Sequence, residues 1–482
     1  MAEIALPASG FPVIFAGMRR TGVFLALAFG LAFGRAFAES PETNSLNWRV
    51  KENRVDANID HSPMPSVLKK IARATGWKIY FEPGVDEPVS VKFKNLPQDE
   101  ALRRLFGKYN FAKDKTNGVS RLLVFRTTAR AATQAVRIEK KDYRIHNEDL
   151  VRLKHGAETN AIDKLAAKLG AKVIGRNDGL GLYKLQFADG ANADAALQAM
   201  ASDPSVSAAD GNYSVDRPTP AQMTPVNFSP STPYSFNLNP TPDANGPVLG
   251  LVDTGVDPPS QFKPYMMTPI NVTGETDAPT PTEPSHGTMM LETMLSAMAS
   301  DPSRVLPVDI YGSAQSTSTF ELIEGVVSAV NAGANPISMS LGGTGDSQLL
   351  QSLIQQGVQK GIVFVAAAGN SPGEGDVYPA NYPGVIGVTA STQTVTGPIT
   401  SGNPAGQPQL ASYANDTPST AVIAPGTSIV MSVNGQTWEV EGTSPATAAT
   451  SATIAYLVNQ DHMTLQQATS QVMKVAPAPP VR

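Results

Sequence analysis

Residues 248–257 read Val-Leu-Gly-Leu-Val-Asp-Thr-Gly-Val-Asp, a near-continuous apolar run that ends in an acidic turn. A short apolar run bounded by turn residues is typical of a strand buried on both faces. Similar runs occupy 302–308, 336–340, 362–366 and 384–389, and helical periodicity occupies 320–332 and 347–360. Buried strands that alternate with amphipathic helices predict a doubly wound, mostly parallel α/β sheet over residues 245–475.

Four polar residues lie at the ends of these predicted elements. Asp253 ends the first strand, Asn370 follows the strand at 362–366, and His286 and Ser444 each open a helix. Functional groups collect at the carboxyl ends of the strands in such a sheet. Peptide hydrolysis needs a nucleophile, a base, a group that orients the base and a donor for the oxyanion. These four residues supply one of each.

Histidine is scarce, with five in the chain, and only His286 and His462 lie in residues 245–475. His462 lies near a helix cap without a supporting glycine turn, so His286 is the candidate general base. Each candidate alone also has a structural interpretation. Asp253 suits a turn and Ser444 suits a helix N-cap. The joint pattern favours catalysis.

The order Asp, His, Ser resembles the subtilisin-like serine proteases, the subtilases. The matching pieces are VDTGVD at 252–257, HGT at 286–288, SMSLGG at 338–343, AAAGN at 366–370 and GTS at 442–444. The resemblance implies that Asp253 orients His286, and that His286 acts as general base and then general acid. It implies that Ser444 attacks the scissile carbonyl. The Ser444 N–H and the Asn370 side chain would form the oxyanion hole.

The same resemblance implies a substrate site. Ser340, Leu341 and Gly342 would pair with the substrate backbone as an added strand. Residues 366–369 would line the pocket for the residue before the cleaved bond, with Ala368 and Gly369 as the substrate-binding residues. Protein or peptide substrates are therefore the predicted ligands.

The sequence departs from the family pattern near two of these residues. Ser444 is followed by Pro445, which is acceptable at a first helical position because no N–H is needed there. Ala448 replaces the family's usual proline. After His286, Leu291 and Glu292 stand where the family has small residues. Two positions are open to Glu292, one near the active-site cleft and one on the helix surface, and we expect the surface position.

Two smaller α+β blocks precede the predicted catalytic domain. Residues 46–128 resemble the short N-terminal domain of secretins and TonB-dependent transducers, which implies docking to an envelope protein. Residues 141–216 show a βαββαβ pattern and resemble the fervidolysin-like propeptide of subtilases, most clearly in SDPSVSAADGNYSVD at 202–216. This resemblance implies that the chain's own propeptide plugs the cleft.

The proline-rich stretch 217–244 is predicted to be a linker that is cut during maturation. At the N-terminus, Arg19-Arg20, an apolar run through Phe33 and Ala36-Phe37-Ala38 predict a signal peptide over residues 1–38, with Met18 as an alternative start. The protein is therefore predicted to be exported, to the periplasm or the exterior of a Gram-negative-type bacterium.

Composition excludes several classes of function. The chain has no cysteine, which removes disulfides, thiolate metal sites and cysteine nucleophiles. A formal net charge of −5 gives no basis for nucleic-acid binding. The loop acids Asp257, Glu275, Asp277 and Asp376 show no regular calcium-ligand spacing. No cofactor is predicted, and calcium, which the family often binds, is left open.

Two rival interpretations remain. The Asp-Thr-Gly triplet at 253–255 also occurs in aspartic proteases, but that chemistry needs two aspartates, and no second triplet stands in a comparable apolar setting. The other rival is a catalytically inactive subtilase-like protein that docks on an envelope partner through residues 46–128. The reason for considering this inactive protein is that the sequence departs from the subtilase pattern near Ser444 and His286.

Overall fold

The computed structural model describes residues 45–49, 53–116, 119–136, 143–158, 160–227, 246–275, 282–298, 302–371, 375–400, 408–417 and 419–478. The predicted signal peptide, residues 1–38, lies outside the described residues. In the part of the chain that is described, no helix combines the length and the apolar character that crossing a membrane requires.

The first block forms a small α+β domain with its own apolar core. Trp48, Val67, Leu102 and Leu122 belong to that core. Its elements are β1 (Ser45–Arg49), β2 (Arg54–Pro63), α1 (Met64–Thr75), β3 (Lys78–Phe81), β4 (Pro88–Pro97), α2 (Gln98–Phe106), β5 (Asn110–Thr116), β6 (Val119–Phe125) and β7 (Gln134–Ala135). The strands form two sheets, with strand orders β1-β2-β4 and β5-β6-β3-β7.

The second block has the βαββαβ order that its sequence predicts. Its elements are β8 (Arg144–Leu153), α3 (Ala161–Leu169), β9 (Lys172–Asn177), β10 (Leu182–Gln186), α4 (Gly190–Met200) and β11 (Val206–Asp216). Helix α3 ends at Gly170, which has a φ of 68° and therefore takes the left-handed cap that glycine favours. The last three residues of β11, Ser214–Asp216, also pair with a strand of the third block.

The third block is built on a nine-stranded sheet within the described residues, of order β12-β21-β20-β19-β18-β17-β13-β15-β14. The pairings from β14 through β20 are parallel, whereas β20–β21 and β21–β12 are antiparallel. The strands are β12 (Gln222–Val226), β13 (Val248–Asp253), β14 (Ile270–Asn271), β15 (Arg304–Asp309), β17 (Ile337–Met339), β18 (Phe364–Ala367), β19 (Val385–Thr394), β20 (Thr420–Met431) and β21 (Thr437–Glu441). Outside this sheet, β16 (Ser316–Ser318) pairs with β11.

Helices cover both faces of this sheet because its strands are apolar on both. They are α5 (His286–Met298), α6 (Thr319–Asn331), α7 (Gln348–Gln359), α8 (Thr443–Gln460) and α9 (Leu465–Val475). In β13, Leu251 packs with α5 and α8 on one face, and Val252 packs with α6 on the other. The predicted doubly wound α/β class is confirmed.

The stretch predicted to be an irregular linker differs from that expectation in its described part. Residues 222–226 form β12, which pairs antiparallel with β21 at the edge of the large sheet. Residues 228–245 lie outside the described residues. Backbone hydrogen bonds to an existing edge require no apolar periodicity, so the sequence pattern carried no signal of this strand.

Candidate active site

Asp253 and His286 form a buried pair at the carboxyl end of the sheet. The Nδ1 atom of His286 lies 2.8 Å and 3.0 Å from the two carboxylate oxygens of Asp253. The exposed fraction is 0% for Asp253 and 5% for His286. The Nε2 atom of His286 is buried without a hydrogen-bond partner among the described residues. One nitrogen is thus held by a carboxylate while the other is available.

The first turn of α5 is fixed against the loop after β13, and this fixes His286. The Gly287 N–H donates to Thr254 Oγ1 at 2.8 Å, and the Ser285 hydroxyl donates to the Gly255 carbonyl at 2.6 Å. A Cβ at Gly287 would lie 2.2 Å from the Thr254 carbonyl oxygen. Glycine is therefore required beside the histidine. Sequence reasoning missed Thr254 and Ser285, although Ser285 before His-Gly-Thr fits an N-cap pattern.

Ser444 lies at the start of α8 and is 4% exposed. Its hydroxyl donates to the Ser340 carbonyl at 3.1 Å, and the Ser340 hydroxyl donates to the Ser444 carbonyl at 3.0 Å. This reciprocal pair links the end of β17 to the start of α8. The hydroxyl of Ser444 therefore points to a backbone acceptor rather than to His286 in this state.

Asn370 follows β18 and is held by Thr443. The Asn370 Oδ1 accepts hydrogen bonds from the Thr443 N–H at 2.9 Å and from the Thr443 hydroxyl at 3.0 Å. Thr443 Oγ1 in turn accepts from the Gly369 N–H at 3.2 Å. Because the oxygen of the amide is occupied, its NH₂ group is the end left for a further acceptor. Thr443 is therefore a positioning residue. It belongs to the Gly-Thr-Ser motif at 442–444, but sequence reasoning assigned it no role.

A cavity of about 140 Å³ brings most of the predicted site residues together. Its lining includes Ser340, Leu341, Gly342, Gly369, Asn370 and Ser444. Ala368 does not line it, whereas Ala367 does. Ala368 is 2% exposed, its N–H donates to Val388, and its carbonyl accepts from Asn415. Ala368 is thus bonded into the sheet and to Asn415, and its assignment to substrate binding remains a prediction.

Glu292 is fully buried, so the expectation of a surface position is wrong. Its Oε2 accepts from the Met431 N–H at 2.6 Å, and its Oε1 has no partner among the described residues. Burial raises the pKa of Glu292 well above its usual range, against the lowering influence of the Met431 N–H. The prediction failed because α5 is buried on nearly every side, so even a charged residue on this helix has no exposed position.

The described residues contain no group of three or more His, Asp or Glu side chains placed to hold a metal ion. No step below uses a metal.

A doubly wound sheet with a buried Asp–His pair at its carboxyl edge is compatible with the serine-hydrolase class of α/β enzymes. Within that class, a model described as the subtilase family matches residues 244–477, and one described as the fervidolysin N-terminal prodomain matches residues 129–212. The subtilisin of Bacillus pumilus is 30% identical over 230 residues, which cover 44% of this chain and 76% of that protein. The chain belongs to the subtilase family and is a subtilisin-like serine peptidase with a propeptide.

Two further relatives extend the likeness beyond the peptidase domain. The thermophilic serine proteinase of Bacillus sp. strain AK1 is 25% identical over 353 residues, which cover 69% of this chain and 83% of that protein. The crystal structure of fervidolysin from Fervidobacterium pennivorans has a TM-score of 0.51 at 18% identity, over 66% of this chain and 55% of that one. The predicted family and prodomain resemblance are confirmed.

Proposed function

We propose that the chain is a serine endopeptidase whose triad is Asp253, His286 and Ser444. The observation that carries this proposal is the Asp253–His286 pair, buried and bonded through Nδ1 with Nε2 unpartnered. A carboxylate on Nδ1 fixes the tautomer in which Nε2 is the acceptor. A base of that form needs only a hydroxyl within reach, and Ser444 is the candidate.

In the proposed reaction, the Ser444 hydroxyl leaves the Ser340 carbonyl and turns to Nε2 of His286. The oxygen then bonds to the scissile carbonyl carbon while its proton moves to His286. His286 gives that proton to the leaving amine as the C–N bond breaks, and Asp253 stabilises the imidazolium between these steps. Water then repeats the sequence on the acyl-enzyme. Catalytic hydrogen bonds are often long or poorly aligned before substrate binds, and they tighten in the complex.

The oxyanion that forms in each step is assigned to two donors, the Ser444 N–H and the Asn370 NH₂ group. The Thr443–Asn370 hydrogen bonds support this role because they orient the amide before reaction, and preorganised donors require no rearrangement when charge develops. We assign backbone pairing with substrate to Ser340, Leu341 and Gly342. At Gly342, a Cβ would lie 2.6 Å from a Val377 methyl group, which supports a closely lined wall.

A labelling experiment tests the triad. A fluorophosphonate probe should label the enzyme, once its cleft is open, at Ser444, and Ser444→Ala should abolish both labelling and casein hydrolysis. Ser451→Ala is the matched control, since Ser451 lies on the same helix and donates only to the Thr447 carbonyl at 2.9 Å. Labelling at another serine would contradict the assignment. Absence of casein hydrolysis in every preparation would favour the inactive binding protein.

We further propose that the domain containing residues 46–128 docks on an envelope protein and takes no part in chemistry. Its separate apolar core supports an independent module, and all the proposed catalytic residues lie outside it. Deleting residues 46–136 should leave the specific activity on casein unchanged and release the enzyme from the envelope fraction. Unchanged fractionation would count against docking.

Export is also proposed. The predicted signal sequence supports it, and the relatives include the minor extracellular protease Epr of Bacillus subtilis, 30% identical over 142 residues. Secreted material should begin at Glu39 when its N-terminus is sequenced, if cleavage follows Ala38. Cell fractionation separates a periplasmic from an extracellular location. Recovery of unprocessed chain in the cytoplasm alone would refute export.

A further inference from the structure

The five residues Arg217–Ala221 connect the propeptide strand β11 to β12, and both ends are anchored to the peptidase domain. At the first end, the Arg217 N–H donates to the Gln315 carbonyl at 2.8 Å. The Arg217 guanidinium also donates to the Gly312 and Ala314 carbonyls, each at 2.9 Å. Immediately before it, Ser214–Asp216 pairs with β16 as an added antiparallel strand.

At the second end, the Ala221 N–H donates to the Glu441 carbonyl at 2.7 Å. Strand β12 follows directly and pairs with β21 from Gln222 opposite Glu441 to Val226 opposite Thr437. The Val226 carbonyl accepts from the Thr437 hydroxyl at 2.5 Å. Glu441 stands three residues before Ser444, so this anchor lies beside the proposed nucleophile.

Between the anchors, Pro218 and Thr219 line the cavity that also contains Ser340, Asn370 and Ser444. The segment therefore passes beside the proposed nucleophile, and the chain pairs as a strand at each of its ends, with β16 before it and with β21 after it. Addition of an extended peptide to a strand edge is a common mode of peptide recognition. Because the segment lies near Ser444, the chemistry of its peptide bonds decides whether the proposed nucleophile can cut them.

The sequence here is Arg217-Pro218-Thr219-Pro220-Ala221, and every peptide bond in it has a proline on one side. In the Arg217–Pro218 and Thr219–Pro220 bonds, proline supplies the leaving nitrogen. That nitrogen is a tertiary amide enclosed in a ring, and it must take the proton from His286 as the C–N bond breaks. Its ring also crowds the residue before it.

In the Pro218–Thr219 and Pro220–Ala221 bonds, proline supplies the carbonyl. Proline has no N–H, so it has no donor for the Ser340 carbonyl, the acceptor assigned above to the substrate backbone. In the structure that carbonyl instead accepts the Ser444 hydroxyl at 3.1 Å. The nucleophile is thus hydrogen-bonded to the acceptor that an ordinary substrate N–H would occupy.

We propose that Arg217–Ala221 is a cleavage-resistant inhibitor segment, which occupies the cleft in the manner of a substrate but is not cut by the enzyme. Activation then requires a cut elsewhere in the chain or displacement of the segment. The inference rests on the proposed function. It assigns the resistance to cleavage to Pro218 and Pro220, the two prolines on either side of Thr219.

Self-processing tests this inference. Purified wild type, the double variant Pro218→Ala/Pro220→Ala and the control Pro225→Ala are incubated, then analysed by intact mass and N-terminal sequencing. Pro225 is a matched proline in β12, outside the cleft. Over the incubation, the double variant should yield new N-termini within 218–221, because it restores the main-chain N–H groups that the two prolines lack. Wild type and Pro225→Ala should yield none, and Ser444→Ala in the double variant should abolish the cuts.

Casein hydrolysis, assayed in parallel, separates the inference from the function on which it rests. A wild-type cut within 217–221 overturns the inference and leaves the peptidase intact. A double variant that digests casein but stays uncut within 217–221 also overturns it, because the prolines are then not the barrier. If no preparation hydrolyses casein or itself, the proposed function fails, and the inference fails with it. Thermal melting of each variant on the Ser444→Ala background verifies that all are folded.

Discussion

Gly287→Ala should lower activity through position alone, because the substitution adds one methyl group and no charge. In the structure, a Cβ at residue 287 would lie 2.2 Å from the backbone carbonyl oxygen of Thr254, and real Cβ contacts essentially never fall below 3.0 Å. The first turn of α5 must therefore move by most of an ångström. His286 precedes residue 287 and moves with it, away from Asp253 or from the substrate. A displacement of about 1 Å near the reacting groups lowers rates by about 10²-fold.

The assay is kcat/KM on a peptide substrate, with the active fraction counted by an irreversible serine-directed inhibitor. We expect a loss of about 10²-fold per active site, mostly in kcat. Gly179→Ala is the matched control for production, since its Cβ meets only Asn177 Oδ1 at 3.5 Å. A Gly287→Ala enzyme with wild-type kcat/KM per active site would refute the reasoning. The α5 turn would then not be what fixes the base.

Three other predictions concern the oxyanion donor, the buried carboxyl and the propeptide interface. Asn370→Ala should lower kcat by about 10²–10³ with little change in KM, which is the magnitude known for the corresponding amide of subtilisin itself. A rise in KM with unchanged kcat would contradict this role. Burial raises the pKa of Glu292, so the folded chain holds this proton more tightly than the unfolded chain does, and stability declines as pH rises above about 4.3, by up to about 1.4 kcal/mol per pH unit. Glu292→Gln should therefore match wild type near pH 4 and become the more stable of the two proteins as pH rises to 7, in urea unfolding on the Ser444→Ala background; equal curves at both pH values would exclude a raised pKa. Asp210 accepts hydrogen bonds from the Ser347 hydroxyl at 2.8 Å and the Leu349 N–H at 3.2 Å, so Asp210→Ala should raise the inhibition constant of the propeptide domain about tenfold or more.

The fold was predictable where local pattern and tertiary environment agree. The run at 248–252 is apolar on both faces, and its strand is covered by helices on both faces. Period-two and helical spacings likewise predicted most elements of the two smaller domains. Strand β12 was not predictable, because a short edge strand is stabilised by backbone partners that lie more than two hundred residues away in sequence.

The candidate site residues could be proposed from the sequence as a set, because chemistry restricts residue types at strand ends and helix starts. Their supporting contacts could not. Thr254, Ser285 and Thr443 act through hydrogen bonds between distant segments, and a threonine or serine in a glycine-rich turn has no distinctive pattern. The prediction for Glu292 was wrong because a charged residue on a helix is expected on a solvent-exposed face, and α5 has almost no solvent-exposed face.

The antiparallel pairing of β12 with β21 has a consequence for solubility. An uncovered edge strand presents unpaired N–H and carbonyl groups, which template pairing with other chains. Any event that removes β12 together with the propeptide exposes β21 from Thr437 to Glu441. The remaining enzyme would then carry an uncovered edge strand beside its proposed nucleophile, a feature that favours self-association.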